Sequence, residues 1–313
     1  MRPSVLVVSV PDWIGEEHLA GLRELADVTV RNVDKITEDE LALMVEGFDY
    51  LMLEFDVLDG LSPAFYEYES VRSLRAMSCD VTGMDWASPA AARANGVPLL
   101  QVPDYSTRSV AETILTEALV HAHQRHLAYK DELRGEAPTA REGRNLASST
   151  VGIVGLGAIG QSSARLFEAV GAKVLCWSRS AREGFEMVSL EELFERCDVI
   201  AVCVKTVRDG DNPNVGFIGA DLLERCHNAI VVNLARPELV DNDAMYDAIT
   251  SGRVVAYSLD APSGSYELEA LEAVHLSPHD GWFTQESMEE LRRVWVGNIV
   301  DHIGGRVSNE YSD

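Results

Sequence analysis

Positive charge is scarce in this chain: 26 Lys and Arg stand against 51 Asp and Glu, a formal net charge of −25. So acidic a surface repels phosphate backbones and anionic headgroups, which argues against nucleic acid or a membrane as partner and for a small-molecule substrate. Long apolar runs are also missing. The longest, at 199–204 and 229–232, are strand-sized and far short of a bilayer span. Cysteine is sparse and scattered: Cys79, Cys176, Cys197, Cys203 and Cys226 are odd in number and include no CxxC pair. Reduced thiols in a cytosolic protein fit that usage. The opening Met1-Arg2-Pro3 leads into a strand-like run without the layout of a signal peptide, so a cytoplasmic location is expected.

What is present is the balance of a globular protein, 46% hydrophobic and 25% charged over 313 residues, long enough for two cores. Short apolar runs alternate with segments of helical period, the pattern of parallel sheets with crossover helices. Residues 4–10, 28–33, 50–55 and 74–78 read as strands, 99–102 as a further short one, and 16–26 and 38–46 as the helices between them. From Ser109 a single long helix is expected to about Glu132, followed by a polar connection over 134–149. A second series then runs through strands at 150, 174–177, 199–204, 229–234 and 254–259 to a closing helix at 284–303. The expected class is α/β, with two doubly wound parallel-sheet domains.

The second series opens with Gly155-Leu156-Gly157-Ala158-Ile159-Gly160, a GxGxxG turn between a strand and a helical run. In that context the motif points to a dinucleotide: Gly155 permits the tight turn, Gly157 lets a pyrophosphate approach, and Gly160 lets helix pack on strand. The N–H groups at the helix start, on Gly157, Ala158 and Ile159, face the phosphates. The next strand ends in Ser178-Arg179-Ser180, with Arg182 beyond, where a carboxylate would bind the ribose hydroxyls of NAD. Serine and guanidinium groups suit a 2′-phosphate instead, so NADP(H) is favoured over NAD(H).

Further on, Asn233-Leu234-Ala235-Arg236, the strand ending in Asp260, Ser277-Pro278-His279-Asp280-Gly281, and the hinge beginning Pro103-Asp104 resemble, in the same order, the motifs of the D-isomer-specific 2-hydroxyacid dehydrogenases, with a flavour of the glyoxylate/hydroxypyruvate reductase branch. The resemblance covers nearly the whole chain. It implies a flavodoxin-like substrate domain over 1–102 plus 285–313, a Rossmann domain over 103–284, an active site in the cleft between them, and a homodimer formed through the helix after Ser109. It also implies hydride transfer between nicotinamide and a 2-oxo acid/D-2-hydroxy acid pair. Arg236 would bind the carboxylate and His279 would act as acid and base, the jobs that such a reduction requires of a cation and a proton donor. Asp260 would orient the nicotinamide carboxamide. Val204, Lys205, Leu234, Ala235 and Gly281 complete the expected cofactor contacts, and Ser78, Cys79 and Asp80 stand where the family receives the substrate.

The chain also departs from that pattern. The family's glutamate partner of the catalytic histidine falls on Ser265, and Glu267 is the replacement considered, the other outcome being a histidine with no carboxylate partner. Glu54, Asp56, Asp104, Asp80 and Asp280 suggest an acidic site that prefers an amine-bearing substrate. His121, His123 and His126 fall at i, i+2 and i+5 of one helix and do not share a face, so no metal site is expected. The segment 209–214 lacks the glycine and glutamate of a calcium loop and reads as a polar loop near the cofactor. The rival functions are a non-catalytic nucleotide-binding regulator of the same fold and a reductase of a non-standard carbonyl.

Overall fold

The structure is a computed structural model that describes residues 2–135, 142–208 and 212–312. Part of the expected connection over 134–149, and residues 209–211 of the polar loop, lie outside the described residues. The chain divides into two compact units, one of residues 1–105 with 284–313 and the other of residues 106–283.

The first unit runs β1 (Ser4–Ser9), α1 (Glu16–Leu25), β2 (Asp27–Asn32), α2 (Glu38–Met44), β3 (Tyr50–Leu53), α3 (Glu69–Arg72), β4 (Ala76–Cys79), α4 (Pro89–Ala94) and β5 (Leu99–Leu100). All pairings are parallel and the order is β2-β1-β3-β4-β5, the doubly wound arrangement of a flavodoxin-like sheet. Strand side chains alternate between faces. Leu6, Val8, Leu51, Leu53, Met77 and Cys79 accordingly share one buried cluster. The expected strand over 99–102 shortens to β5, after which Val102 N–H bonds the Val81 carbonyl.

The second unit contains α5 (Thr107–Ala122), α6 (Arg125–Leu133), β6 (Thr150–Val154), α7 (Ala158–Ala169), β7 (Lys173–Trp177), α8 (Leu190–Arg196), β8 (Val199–Val202), α9 (Ala220–Leu223), β9 (Ala229–Asn233), α10 (Asn242–Thr250), β10 (Val254–Leu259), α11 (Tyr266–Glu269) and β11 (Val274–Leu276). The chain closes with α12 (Gln285–Ile303) in the first unit. The second sheet is again parallel throughout, in the order β11-β10-β9-β8-β6-β7. Beyond β7 a single parallel bridge joins Cys176 to Met187 and takes the place of a further strand. Counting that bridge, the order becomes that of a Rossmann sheet with one added strand. Both faces are covered: Val151, Ile153, Ala201 and Val232 lie in one cluster, and Val154, Val202, Val231 and Tyr257 in another. The two doubly wound domains expected from the sequence are therefore present.

One expectation fails. The long helix after Ser109 is not continuous: α5 ends at Ala122, Gln124 takes a left-handed φ of 50°, and α6 starts afresh at Arg125. No helix among the described residues is long and apolar enough to cross a membrane.

Candidate active site

In a doubly wound sheet the loops after the strands' carboxyl ends form the ligand crevice, at the point where the connections switch faces. In the second unit that point lies between β6 and β8, and the glycine turn follows β6. Two of its glycines are required sterically. Gly155 has φ 102°, and a Cβ there would sit 2.6 Å from Val204 Cγ1 and 2.8 Å from the Cys203 carbonyl oxygen. A Cβ on Gly160 would lie 1.9 Å from the Gly155 oxygen. Gly157 differs, since a Cβ there would meet nothing within 4 Å. Gly157 also caps α7 without a side-chain bond, whereas Thr37, Ser189, Asp241 and Thr284 cap α2, α8, α10 and α12 through their own oxygens. The first-turn N–H groups of α7, on Ala158 and Ile159 among others, thus face open space with the positive end of the helix dipole behind them. That cradle fits a dinucleotide pyrophosphate.

At the end of β7 the Ser178 hydroxyl donates to the Ser180 carbonyl and holds the turn. Arg179 and Arg182 are exposed and form no ion pair among the described residues. Val204 packs against Gly155, and Lys205 follows it on the exposed side.

The loop after β9 is shaped by Asn233, which is buried: its amide donates to the Arg236 carbonyl at 2.9 Å and its Oδ1 accepts from Ala235 N–H at 3.2 Å. Leu234 is buried beside Gly281. This small cage turns Arg236 outward. Its guanidinium bonds the Ala235 carbonyl at 2.8 Å and forms no ion pair among the described residues.

After β10, the buried Asp260 organises the histidine segment. Its carboxylate accepts from the Ser277 hydroxyl at 2.5 Å, from Asp280 N–H at 3.1 Å and from Gly281 N–H at 3.1 Å. Gly281 must be glycine for that approach, because a Cβ there would lie 2.9 Å from Asp260 Oδ2. His279 is held between these anchors with φ 63°, exposed, its backbone oxygen accepting from Trp282 Nε1 at 2.8 Å. Its imidazole has no hydrogen bond or ion pair among the described residues.

Glu267 does not reach it. That residue is exposed on α11, with no bond to His279. Ser265, at the family's glutamate position, accepts from Leu268 N–H as the cap of α11. The nearby Glu269 is taken up by Ser263, whose N–H and hydroxyl donate to it at 2.6 and 2.7 Å.

In the first unit, Ser78 and Cys79 are sealed in the interior. The Ser78 hydroxyl donates to the Trp295 carbonyl and accepts from Asn298 Nδ2, each at 3.2 Å. Asp80 is 2% exposed and accepts from Trp13 Nε1 at 2.7 Å and Phe55 N–H at 2.9 Å. Beside it, the buried Glu54 accepts from Asp56 N–H at 2.7 Å and Val10 N–H at 3.3 Å. Burial, then the Glu54 charge, pushes the Asp80 carboxyl up to about 8. All three sequence candidates are thus buried, Ser78 and Asp80 in internal hydrogen bonds and Cys79 in the apolar cluster. Asp104, at a glycine position of the family's hinge, has φ 57°, a conformation aspartate tolerates.

Sequence reasoning missed a polar stripe on α5. Thr113 donates to the Gly281 carbonyl at 2.9 Å, Glu117 accepts from Ser258 at 2.7 Å and faces His275 at 3.3 Å, and His121 meets Ser258 at 2.8 Å. Their i+4 spacing, which places all three on one helix face, is the signal that would have found them. The break at Gln124 also overturns the reason for dismissing the histidines. His121 and His126 come together with His275, ring centroids 4.2 to 4.9 Å apart. Burial first, then the neighbouring His275, pushes His121 down to about 3 and His126 to about 4, so both are neutral.

Residues 114–281 match the family described as D-isomer specific 2-hydroxyacid dehydrogenase, NAD binding domain. The chain is 31% identical to a D-3-phosphoglycerate dehydrogenase of Mycobacterium tuberculosis, over 98% of this chain and 61% of that protein. It is 30% identical to a D-2-hydroxyacid dehydrogenase (NAD+) of Lacticaseibacillus paracasei, over 78% of each. A solved D-2-hydroxyisocaproate dehydrogenase superposes with a TM-score of 0.85 at 22% identity, covering 99% of this chain and 100% of that one, a likeness of fold. This chain belongs to the D-isomer-specific 2-hydroxyacid dehydrogenase family and carries its NAD-binding domain. It spans about three fifths of the length of the phosphoglycerate dehydrogenases it matches.

Proposed function

We propose that the protein is a nicotinamide-dependent oxidoreductase that interconverts a 2-oxo acid and a D-2-hydroxy acid, with NADP(H) preferred to NAD(H). The observation that carries this reading is Arg236, an outward guanidinium that forms no ion pair among the described residues of a strongly acidic chain. It follows β9, the Asp260 loop follows β10 and the His279 segment follows β11, and these are adjacent strands of one sheet. Their loops therefore share one sheet end with the glycine turn.

The bound nicotinamide supplies or accepts the hydride. Arg236 holds the substrate carboxylate through paired N–H donors and draws charge toward the carbonyl oxygen. His279 gives a proton to the developing alkoxide in reduction and removes it in oxidation. Asp260 fixes the backbone on either side of His279, and its two oxygens keep capacity for the nicotinamide carboxamide beside their present donors. Val204, Lys205, Leu234, Ala235 and Gly281 form the remaining wall. NADP(H) preference rests on the absence of a carboxylate at the end of β7, where Ser178, Arg179 and Ser180 stand instead.

Glu267 is not proposed as the partner of His279, because it is exposed elsewhere, and Ser78, Cys79 and Asp80 are not proposed as side-chain ligands, because all three are buried, Ser78 and Asp80 in their own hydrogen bonds and Cys79 in the apolar cluster. Of the carboxylates behind the expected amine-selective site, Glu54 and Asp80 are buried in their own bonds, whereas Asp56, Asp104 and Asp280 are exposed. Association of two copies near α6, where Tyr129 is 62% and Leu133 70% exposed, belongs to the proposal and is read by light scattering.

Oxidation of NADPH followed by absorbance, on a panel of 2-oxo acids with and without amino groups and with NADH in parallel, tests the reading. Turnover faster with NADPH, and no slower on plain acids than on amino-bearing ones, is expected. NADPH binding with no turnover on any panel member would overturn it in favour of a regulator.

A further inference from the structure

The histidine cluster in the second unit uses none of the side chains given a role in the proposed reaction, although the cavity beside it is walled in part by Leu234 and Ser277. One ring nitrogen from each of His121, His126 and His275 lies within 4.8 Å of the others. Proton bookkeeping shows which nitrogens carry lone pairs. The single Ser258 hydroxyl hydrogen goes to the Glu117 carboxylate at 2.7 Å, so Ser258 Oγ accepts from His121 Nε2–H at 2.8 Å. His121 Nδ1 is therefore unprotonated, and it is buried with no partner. The Glu117 carboxylate, which can only accept, faces His275 Nδ1 at 3.3 Å, so Nδ1 carries a hydrogen and the neutral tautomer of the ring that can bind a metal has its lone pair on Nε2. His126 Nδ1 is buried and makes no well-formed hydrogen bond among the described residues, with the Val120 carbonyl near its ring.

Buried polar atoms are ordinarily bonded, so two unpartnered imidazole nitrogens beside a third lone pair need an occupant. Each histidine with a second-nitrogen bond has the partner that orients a metal-bound imidazole, a hydroxyl for His121 and a carboxylate for His275. A cavity of about 350 Å³, lined by Glu117, Lys130, His275 and Ser277 among others, opens beside the cluster and leaves room for a further ligand. The ammonium of Lys130 opposes a cation there, and the Glu117 carboxylate offsets it.

We propose that His121, His126 and His275 bind one divalent transition-metal ion of the zinc class, with Glu117 orienting His275 and a solvent ligand completing the shell from the cavity. Imidazole donors select zinc, cobalt, nickel or copper over magnesium or calcium. Tetrahedral ligands at about 2.1 Å from zinc stand about 3.4 Å apart, so the 4.8 Å spread closes by side-chain rotation of about 1 Å. The ion ties the α5–α6 junction to β11, whose end leads into the Ser277–His279 segment. The site stands independently of the proposed reaction.

The test uses the whole chain without a histidine tag, stripped with EDTA and dialysed, with neither cofactor nor substrate present. Zn2+ is titrated by calorimetry and Co2+ by visible absorbance. Saturable uptake of one ion per chain is expected, with cobalt bands of a four-coordinate site. His126→Ala, on the half-buried rim, should weaken uptake tenfold or more, and Glu117→Gln by about tenfold. X-ray absorption of the zinc-loaded wild type counts imidazoles should a variant fail to fold. No saturable uptake, fewer than three imidazoles on the metal, or equal affinity in wild type and a folded His126→Ala would overturn the site.

Discussion

The carboxyl ends of the two sheets invite comparison, since both sheets are parallel and doubly wound and both present polar residues there. In the first unit Glu54 and Asp80 are buried, and Val10, Asp56, Phe55 and Trp13 donate to them. In the second, Gly157 faces open space, α7 lacks a side-chain cap, Arg236 forms no ion pair among the described residues and His279 is exposed. The first sheet end spends its polar groups on itself, and the second leaves them facing outward. A shared topology locates a crevice, but groups left without partners are what a ligand can use.

Substitutions can break this contrast. The largest effect is expected from Gly160→Val, whose side chain would drive into the Gly155 carbonyl and abolish NADPH binding in a fluorescence titration while the first unit stays folded by proteolysis. Next is Asp260→Ala, which strands the N–H groups of Asp280 and Gly281 and should cost about 1–3 kcal/mol in denaturant melts. Smaller still is the effect at Asp80. Its folded carboxyl, pushed up to about 8, stays protonated where the unfolded one, near its ordinary 3.8, has ionised. Stability is thus lost as pH rises between those values and levels off above the folded one. Asp80→Asn gives up an acceptor and starts with a lower Tm in acid, yet its Tm should fall less steeply toward pH 8 than that of wild type. The smallest effect is expected from Glu267→Gln. Its kcat/KM should stay within about twofold of wild type, as for a solvated surface residue, and a hundredfold loss would restore it as the partner of His279.

The alternation of apolar runs was enough to read two parallel sheets, because strands buried on both faces leave unbroken hydrophobic stretches. The glycine turn was legible because only glycine fits at positions 155 and 160. Less was legible where local signals were weak. A two-residue junction at His123 and Gln124 breaks α5 from α6, with no glycine or proline there to announce it. Met187 keeps a strand's place with one bridge, too short for a periodicity. His275 lies far from His121 in sequence and meets it only because β11 pairs with β10. At Ser265 and Glu267 the chain offered a choice of carboxylate or none. The structure answers with a helix cap and an exposed side chain, a matter of orientation that spacing alone does not set.

The central claim, that the outward groups of the second sheet do the chemistry, is tested most directly at Arg236. NADPH affinity and kcat/KM on the best 2-oxo acid are measured side by side for wild type and Arg236→Ala. The account predicts an unchanged NADPH Kd and a kcat/KM lowered roughly a hundred- to a thousandfold, the loss of a charge-stabilising donor at the reacting group. An unchanged kcat/KM would contradict it and move the substrate's anchor elsewhere in the molecule.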